Sequence, residues 1–351
     1  MTKSESTYLS ADGKTQVAYS VYTPEGQPKA VIQLIHGMCE YADRYADLAR
    51  FLTENGVVFC GNDHLGHGRT AAGEENLGWF AESDGSGYLI EDVRSLYLLM
   101  RKKYRRLPYI MLGHSMGSFI LRAYMTRYGD TEDMLGTRLD GAILCGTSGG
   151  ESVRLGMNLA KLVAKLRGGR YRSKRLRSLV NRNYCRHCSE KGDDSAWLSR
   201  DAEQRRIWAE DRWCNFLFTA DGYRDMLGLL GEVSEEDWAQ KVPKSLPILL
   251  ISGTMDPVGN YGDGVQSVYA ALEDAEVNDV EMKLFEGYRH ELFFETGREQ
   301  VYDEVLAFCD HVAEGIHEAR LSAAVSGYMP PLRTMGDYDV PAEAPQNGED
   351  R

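Results

Sequence analysis

No stretch of the 351-residue chain approaches the roughly eighteen uninterrupted apolar residues that a membrane-spanning helix requires. The first residues, Met1-Thr-Lys-Ser-Glu-Ser-Thr, contain no hydrophobic segment of the kind that directs secretion. Cysteine is sparse and odd in number, seven residues scattered through strand-like and helical stretches. That argues against a disulfide framework and for a reducing, cytoplasmic setting. One pair, Cys185-Arg-His-Cys188, has the spacing that opens a zinc site, but no second pair follows it. A structural zinc site needs four ligands, so no metal is expected. Basic residues are outnumbered, 40 Lys and Arg against 53 Asp and Glu, and the net charge of −13 disfavours nucleic acid as a partner.

What is present is a large apolar inventory, 43% of the residues, arranged in short runs between helical patterns. The runs Gln16–Thr23, Ala30–Ile35, Val57–Asn62, Tyr109–Gly113, Gly141–Cys145, Pro247–Ser252 and Val280–Phe285 read as strands. Helical periodicity falls at Tyr41–Asn55, Tyr88–Tyr104, Met116–Tyr128 and Gln300–Glu314. Strands alternating with crossover helices give an α/β fold, a mostly parallel central sheet covered by helices on both faces. Several strands are apolar throughout, as burial on both faces requires.

The alternation stops between about residue 151 and residue 240. Leu155, Leu159, Leu162, Val163 and Leu166 recur at helical spacing, and Trp197, Trp208, Trp213, Phe216 and Phe218 follow. This stretch reads as an inserted helical lid, with residues 1–150 and 241–320 forming the core around it. Between Arg154 and Lys191 twelve Lys and Arg face a single acid, Glu190. Two readings stand side by side: a solvated lid face, or a surface for anionic membranes, which would make the protein peripheral at times. Trp208, Trp213 and Phe216 are the candidates for lining a pocket. After Leu321 the pattern gives way to Gly, Pro and acids, with four of the ten prolines, and residues 321–351 read as a disordered tail.

The most specific local signal is Gly113-His114-Ser115-Met116-Gly117, between an apolar strand and an amphipathic helix. Serine on such a strand-to-helix turn is held with its hydroxyl pushed outward, and the glycines let strand and helix pass closely. The same pattern occurs at Gly146-Thr-Ser148-Gly-Gly150, but Ser148 leads into two glycines and a charged segment, so Ser115 is the expected nucleophile. A serine hydroxyl needs a base, and the base needs an acid to fix its tautomer. His290 follows the last strand, and Asp256 follows the strand before it, with Asp263 its nearest rival. The resulting order, Ser115, Asp256, His290, is that of the α/β-hydrolase fold. Two N–H groups should receive the oxyanion, those of Met116 and, after the strand Ala30–Ile35, of Met38.

Taken together, Val31-Ile-Gln-Leu-Ile-His-Gly37, Glu40 with Arg44-Tyr45, Asp63-His-Leu-Gly-His-Gly68, Gly113–Gly117, Ser252-Gly-Thr-Met-Asp256 and Arg289-His-Glu291 resemble the monoacylglycerol lipase and lysophospholipase branch of the α/β-hydrolases. The resemblance runs from about residue 15 to residue 315. It implies hydrolysis of carboxylic esters, of monoacylglycerol or lysophospholipid type, through an acyl-enzyme on Ser115 and without a cofactor. An aminopeptidase or amidase on the same scaffold, or a noncatalytic binding member, are the alternatives. The chain departs from the family pattern at Cys39-Glu40-Tyr41, where Gly-Glu-His is usual, and at Thr70, where Ser is common. Cys39, beside the oxyanion loop, is expected to crowd or polarise the pocket and to confer sensitivity to thiol reagents.

Overall fold

Where apolar residues run without interruption, the chain forms strands that are buried from end to end. The computed structural model describes residues 1–132, 138–150, 153–181 and 184–325. Its strands are β1 (Thr2–Leu9), β2 (Gln16–Thr23), β3 (Ala30–Ile35), β4 (Val57–Asn62), β5 (Tyr109–His114), β6 (Gly141–Cys145), β7 (Ile248–Gly253) and β8 (Val280–Phe285). They form one sheet in the order β1-β2-β4-β3-β5-β6-β7-β8. From β4 to β8 neighbouring strands are parallel, while β2 runs antiparallel to both β1 and β4. This is the mostly parallel sheet expected from the sequence.

Alternate residues of the central strands feed two cores. Ile32, Leu34, Ile110, Leu112, Ile143, Leu249 and Ile251 pack under α1 (Ala46–Glu54) and the C-terminal helix Glu299–Val325. Val31, Met111, Ala142, Leu144 and Leu250 face α2 (Gly85–Lys103) and α3 (Met116–Tyr128) on the other side. Each such side chain contributes about 1.5–3 kcal/mol through burial, which explains why an apolar run with no polar alternation settles mid-sheet.

Between β6 and β7 the described residues form the α-helices α4 (Val153–Arg167), α5 (Lys174–Val180), α6 (Ala202–Glu210) and α7 (Ala220–Glu232). Helix α7 packs on α2 and α3, and α4 rides on α7. Thr219 caps α7 by accepting from Gly222 N–H, and its hydroxyl donates to Gly78 O at 2.7 Å, fastening the insertion to the core. Arg122 of α3 is fully buried. Its guanidinium donates to Ser148 O, before the insertion, and to Val233 O, just after α7, and lies over the Trp238 ring.

Three elements differ from the sequence expectation. Strand β1 escaped because it is polar and exposed along nearly its whole length; besides its ladder to β2, it is tied down by Tyr8 OH, which donates to Asp92 O at 2.6 Å, and by Lys3, which pairs with Asp43 at 2.9 Å. Helix α8 (Asp263–Asp274), the crossover between β7 and β8, was not read from the sequence, although Val265, Val268 and Leu272 recur at helical spacing and are buried. The last helix, α9, extends to Val325, past the point where its periodicity fades. The tail expected to be disordered lies, from residue 326 onward, outside the described residues. No helix among the described residues is long and apolar enough to cross a membrane.

Candidate active site

Ser115 sits between β5 and α3 with φ 53° and ψ −121°, a conformation that costs a non-glycine residue energy and is held by its surroundings. Its N–H donates to Cys145 O on the adjacent strand at 2.9 Å. A side chain on Gly117 would run into the Ile35 carbonyl, and one on Gly113 into Gly117 and Ser118. Glycine at both positions is therefore what lets the turn form so close to β3.

The Ser115 hydroxyl donates to His290 Nε2 at 2.9 Å, and His290 Nδ1 donates to both Asp256 oxygens at 3.0 Å. Asp256 is completely buried. Burial alone would push its carboxyl up, but His290 and hydrogen bonds from Val258 N–H and Ser252 Oγ hold it below the ordinary carboxylate value. An ionised Asp256 fixes the His290 tautomer with the lone pair on Nε2 turned to the serine. The structure thus brings together three residues separated by up to 175 positions.

Met116 opens α3, so its N–H is one of those an α-helix leaves without an internal acceptor. Across from it, the loop after β3 is tightly tied. Gly37 N–H donates to Glu40 Oε1, and Cys39 N–H to His67 Nε2 at 3.3 Å. Burial, followed by the neighbouring His36, pushes His67 down to about 3, so the ring is neutral and free to accept. No hydrogen bond to Met38 N–H forms among the described residues.

Behind the loop is a buried polar network that links three motifs. Glu40 accepts from His114 Nδ1 at 2.8 Å, from Tyr45 OH at 3.0 Å and from Arg44 Nη1 at 3.1 Å. Arg44 also makes two bonds to Glu291, and His114 Nε2 lies 3.3 Å from His290 O. Each of these residues adjoins the loop after β3, Ser115 or His290.

A cavity of about 730 Å³ opens over Ser115 and His290. Of the three aromatic candidates, Trp208 and Phe216 line it. Trp213 does not: its ring packs against Tyr41 at 5.1 Å with Arg212 over it, outside the cavity wall. Trp197 was not singled out from sequence, since nothing in its spacing sets it apart, yet its ring lies 5.1 Å from that of His290. A second depression of about 790 Å³, walled by Lys14, Arg69, Trp79 and Arg170, holds none of the three converging residues.

The rival residues have other occupations. Ser148 lies in the loop leaving β6, its carbonyl bound by Arg122. Asp263 is exposed at the first turn of α8, where an acid suits the helix dipole. Cys39 is buried and its Sγ donates to Phe216 O at 3.3 Å. Burial pushes that thiol well up, which suits its part as a hydrogen-bond donor. Tyr41, a second departure from the family pattern, donates to Asp211 at 2.7 Å, so Cys39 and Tyr41 both contact the insertion, whereas Thr70 bonds within the core to Ala18 N–H and Asp63 O. Among the described residues no group of three His, Cys, Asp or Glu side chains is arranged to hold a metal ion.

With that geometry in place, known proteins are informative. The family profile described as serine aminopeptidase, S33, matches residues 26–297. A monoacylglycerol lipase of Mycolicibacterium smegmatis is 27% identical over 88% of this chain and 97% of its own. Human monoglyceride lipase is 30% identical over 81% and 82%. Among solved structures, a thermostable carboxyl esterase from Bacillus coagulans in complex with glycerol superposes with a TM-score of 0.80 at 30% identity, covering 89% of this chain and 99% of its own. The chain belongs to the serine aminopeptidase S33 family of α/β-hydrolases and stands there with the monoglyceride lipases.

Proposed function

We propose that the protein hydrolyses carboxylic esters of monoacyl lipids through an acyl-enzyme on Ser115. The observation that carries this reading is the chain of hydrogen bonds Ser115 Oγ to His290 Nε2 and His290 Nδ1 to Asp256, at 2.9 and 3.0 Å. His290 takes the serine proton as Oγ bonds to the ester carbonyl carbon, and the Met38 and Met116 amides receive the oxyanion. Collapse breaks the acyl C–O bond, and His290 returns the proton to the leaving alcohol. Water then attacks the acyl-serine, giving its proton to the same imidazole, and the acid departs as Oγ is reprotonated. Asp256 stays ionised throughout.

The helical insertion acts as the lid in this reading, and its Trp208 and Phe216 give the acyl chain an apolar wall. Relatives named for monoacylglycerol hydrolysis support a single-chain lipid ester over a peptide. Ser115→Ala is the direct test: turnover of a glyceryl ester should fall by about 10⁴-fold or more with the fold retained. Unchanged hydrolysis in that variant would remove the mechanism. A chromogenic amide run beside the ester separates this from an amidase.

A specific surface supports a peripheral site of action from the cytoplasmic side. Leu155, Leu162 and Leu166 project from one face of α4, 72%, 50% and 70% exposed, and Arg154, Lys161, Lys165 and Arg167 flank them. Apolar side chains framed by cations match the interface of an anionic bilayer. Co-sedimentation with anionic vesicles should be salt-sensitive and should weaken in Leu155→Ser/Leu166→Ser. Equal retention on neutral and anionic vesicles would discard the electrostatic part.

A further inference from the structure

We infer that the cavity over Ser115 contains a subsite for a phosphate group on the substrate, centred on Arg177 and completed by Lys174 and Arg186. The inference rests on the ester-hydrolase reading and narrows it, from monoacyl lipid esters in general to those whose alcohol is a glycerol phosphate.

The cavity wall holds carboxylates and cations, but the two are differently engaged. Glu40 is occupied by Gly37 N–H, His114 and Arg44, and Glu291 by Arg44. Asp193 accepts from Arg205 Nε at 2.9 Å and from Ser195. That leaves Asp194, which is exposed. On the other side, Lys174, Arg177 and Arg186 form no ion pair with a carboxylate among the described residues. The hydrogen bond Arg177 makes is a long one, 3.4 Å, to the neutral Asn215 Oδ1. Among the described residues of this wall, three cations lack a carboxylate partner, Arg177 half-buried and Lys174 and Arg186 exposed, against one such acid, Asp194.

Arg177 is also placed near the reacting end. Asn215, which it touches, precedes Phe216, whose carbonyl accepts the Cys39 thiol, and Cys39 follows Met38. Its charge acts on the Cys39 thiol and the Tyr223 hydroxyl, opposing the rise that burial gives both. A neutral glyceryl head offers such a cation no counter-charge. A phosphate offers oxygens that a guanidinium can hold at two points, with charge-assisted bonds about twice as strong as neutral ones.

The test compares 1-octanoylglycerol with 1-octanoylglycerol 3-phosphate, both as monomers in solution, on the full chain. The native protein should favour the phosphate ester in kcat/KM by about tenfold, an advantage that shrinks at high salt. In Arg177→Gln the ratio of the two should fall about tenfold through KM, and Arg177→Lys should restore part of it. Because each ratio is taken within one preparation, partial misfolding cancels. A ratio unaffected by Arg177→Gln overturns the subsite. Glycerol 3-phosphate should inhibit neutral-ester hydrolysis more strongly than inorganic phosphate, and equal inhibition would assign the cations to free phosphate and overturn the head-group proposal. Hydrolysis of neither ester by the native protein would instead remove the ester-hydrolase reading itself.

Discussion

Arg44 grips Glu291 through two parallel hydrogen bonds of 2.7 Å, and Glu291 is the residue immediately after His290. Both side chains are nearly inaccessible, and Arg44 lies 3.8 Å over the Phe294 ring. A two-point contact fixes orientation as well as distance, so the pair sets the path of the loop that carries His290. Removing one partner should cost far more than the pair contributes, because the other charge is left buried. Arg44→Ala should lower stability by about 3–5 kcal/mol, measured by denaturant unfolding. Glu291→Gln, which leaves Arg44 paired with Glu40, should keep the fold and reduce kcat about tenfold with little change in KM. A change in KM alone would show that Glu291 acts on binding.

The Glu40–His114 contact predicts a pH dependence. Burial opposes charge on both, but each partner favours the charged form of the other, so Glu40 is held below its ordinary 4.5 and His114 above its ordinary 6.5. The histidine's contribution is whole below 6.5 and is lost as pH rises through its higher folded value. The glutamate's is whole above 4.5 and is lost as pH falls through its lower one. The pair is at full strength between 4.5 and 6.5. The difference in melting temperature between native protein and Glu40→Gln should be largest in that window and narrow above it. A difference that grows above pH 8 would show the sign to be wrong.

Tyr41 couples the loop bearing Met38 to the insertion through its bond to Asp211. Tyr41→Phe removes one charge-assisted hydrogen bond and leaves the ring against Trp213. Stability should fall by about 1–2 kcal/mol. Turnover of long-chain esters should suffer more than that of short ones, since only the former need the insertion wall. Equal losses across chain lengths would place the effect in the loop alone.

Arg122 clasps carbonyls before and after the inserted helices with no carboxylate paired to it among the described residues, and burial pushes it down to about 9. Arg122→Leu should leave both carbonyls short of a donor and destabilise by about 2–4 kcal/mol. Limited proteolysis should then cut first within 151–240 while the core resists. Uniform cleavage would mean that the arginine stabilises the whole molecule rather than the insertion.

The sheet was legible because continuous apolar runs leave few places to go, and β2, β3, β4, β6 and β8 fall at the boundaries read from the residues. The converging Ser115, Asp256 and His290 were legible for a related reason: each follows the C-terminal end of a strand, and a parallel sheet gathers such ends at one edge. What stayed hidden depends on contacts between distant segments. Nothing local marks Arg44 as the partner of Glu291, 247 residues away, or separates Trp197 from Trp213. Whether an aromatic meets the cavity is decided by how the insertion packs on α2 and α3.

Strand β1 has a consequence for handling. Its eight residues contribute almost nothing to either core, yet they occupy the free hydrogen-bonding side of β2, which is apolar at Val17, Ala18, Val21 and Tyr22. Lys3 and Glu5 on the outermost ribbon discourage a second molecule from adding itself there. Clipping those residues would uncover a sticky rim, and the damage would register in light scattering before it registered in catalysis.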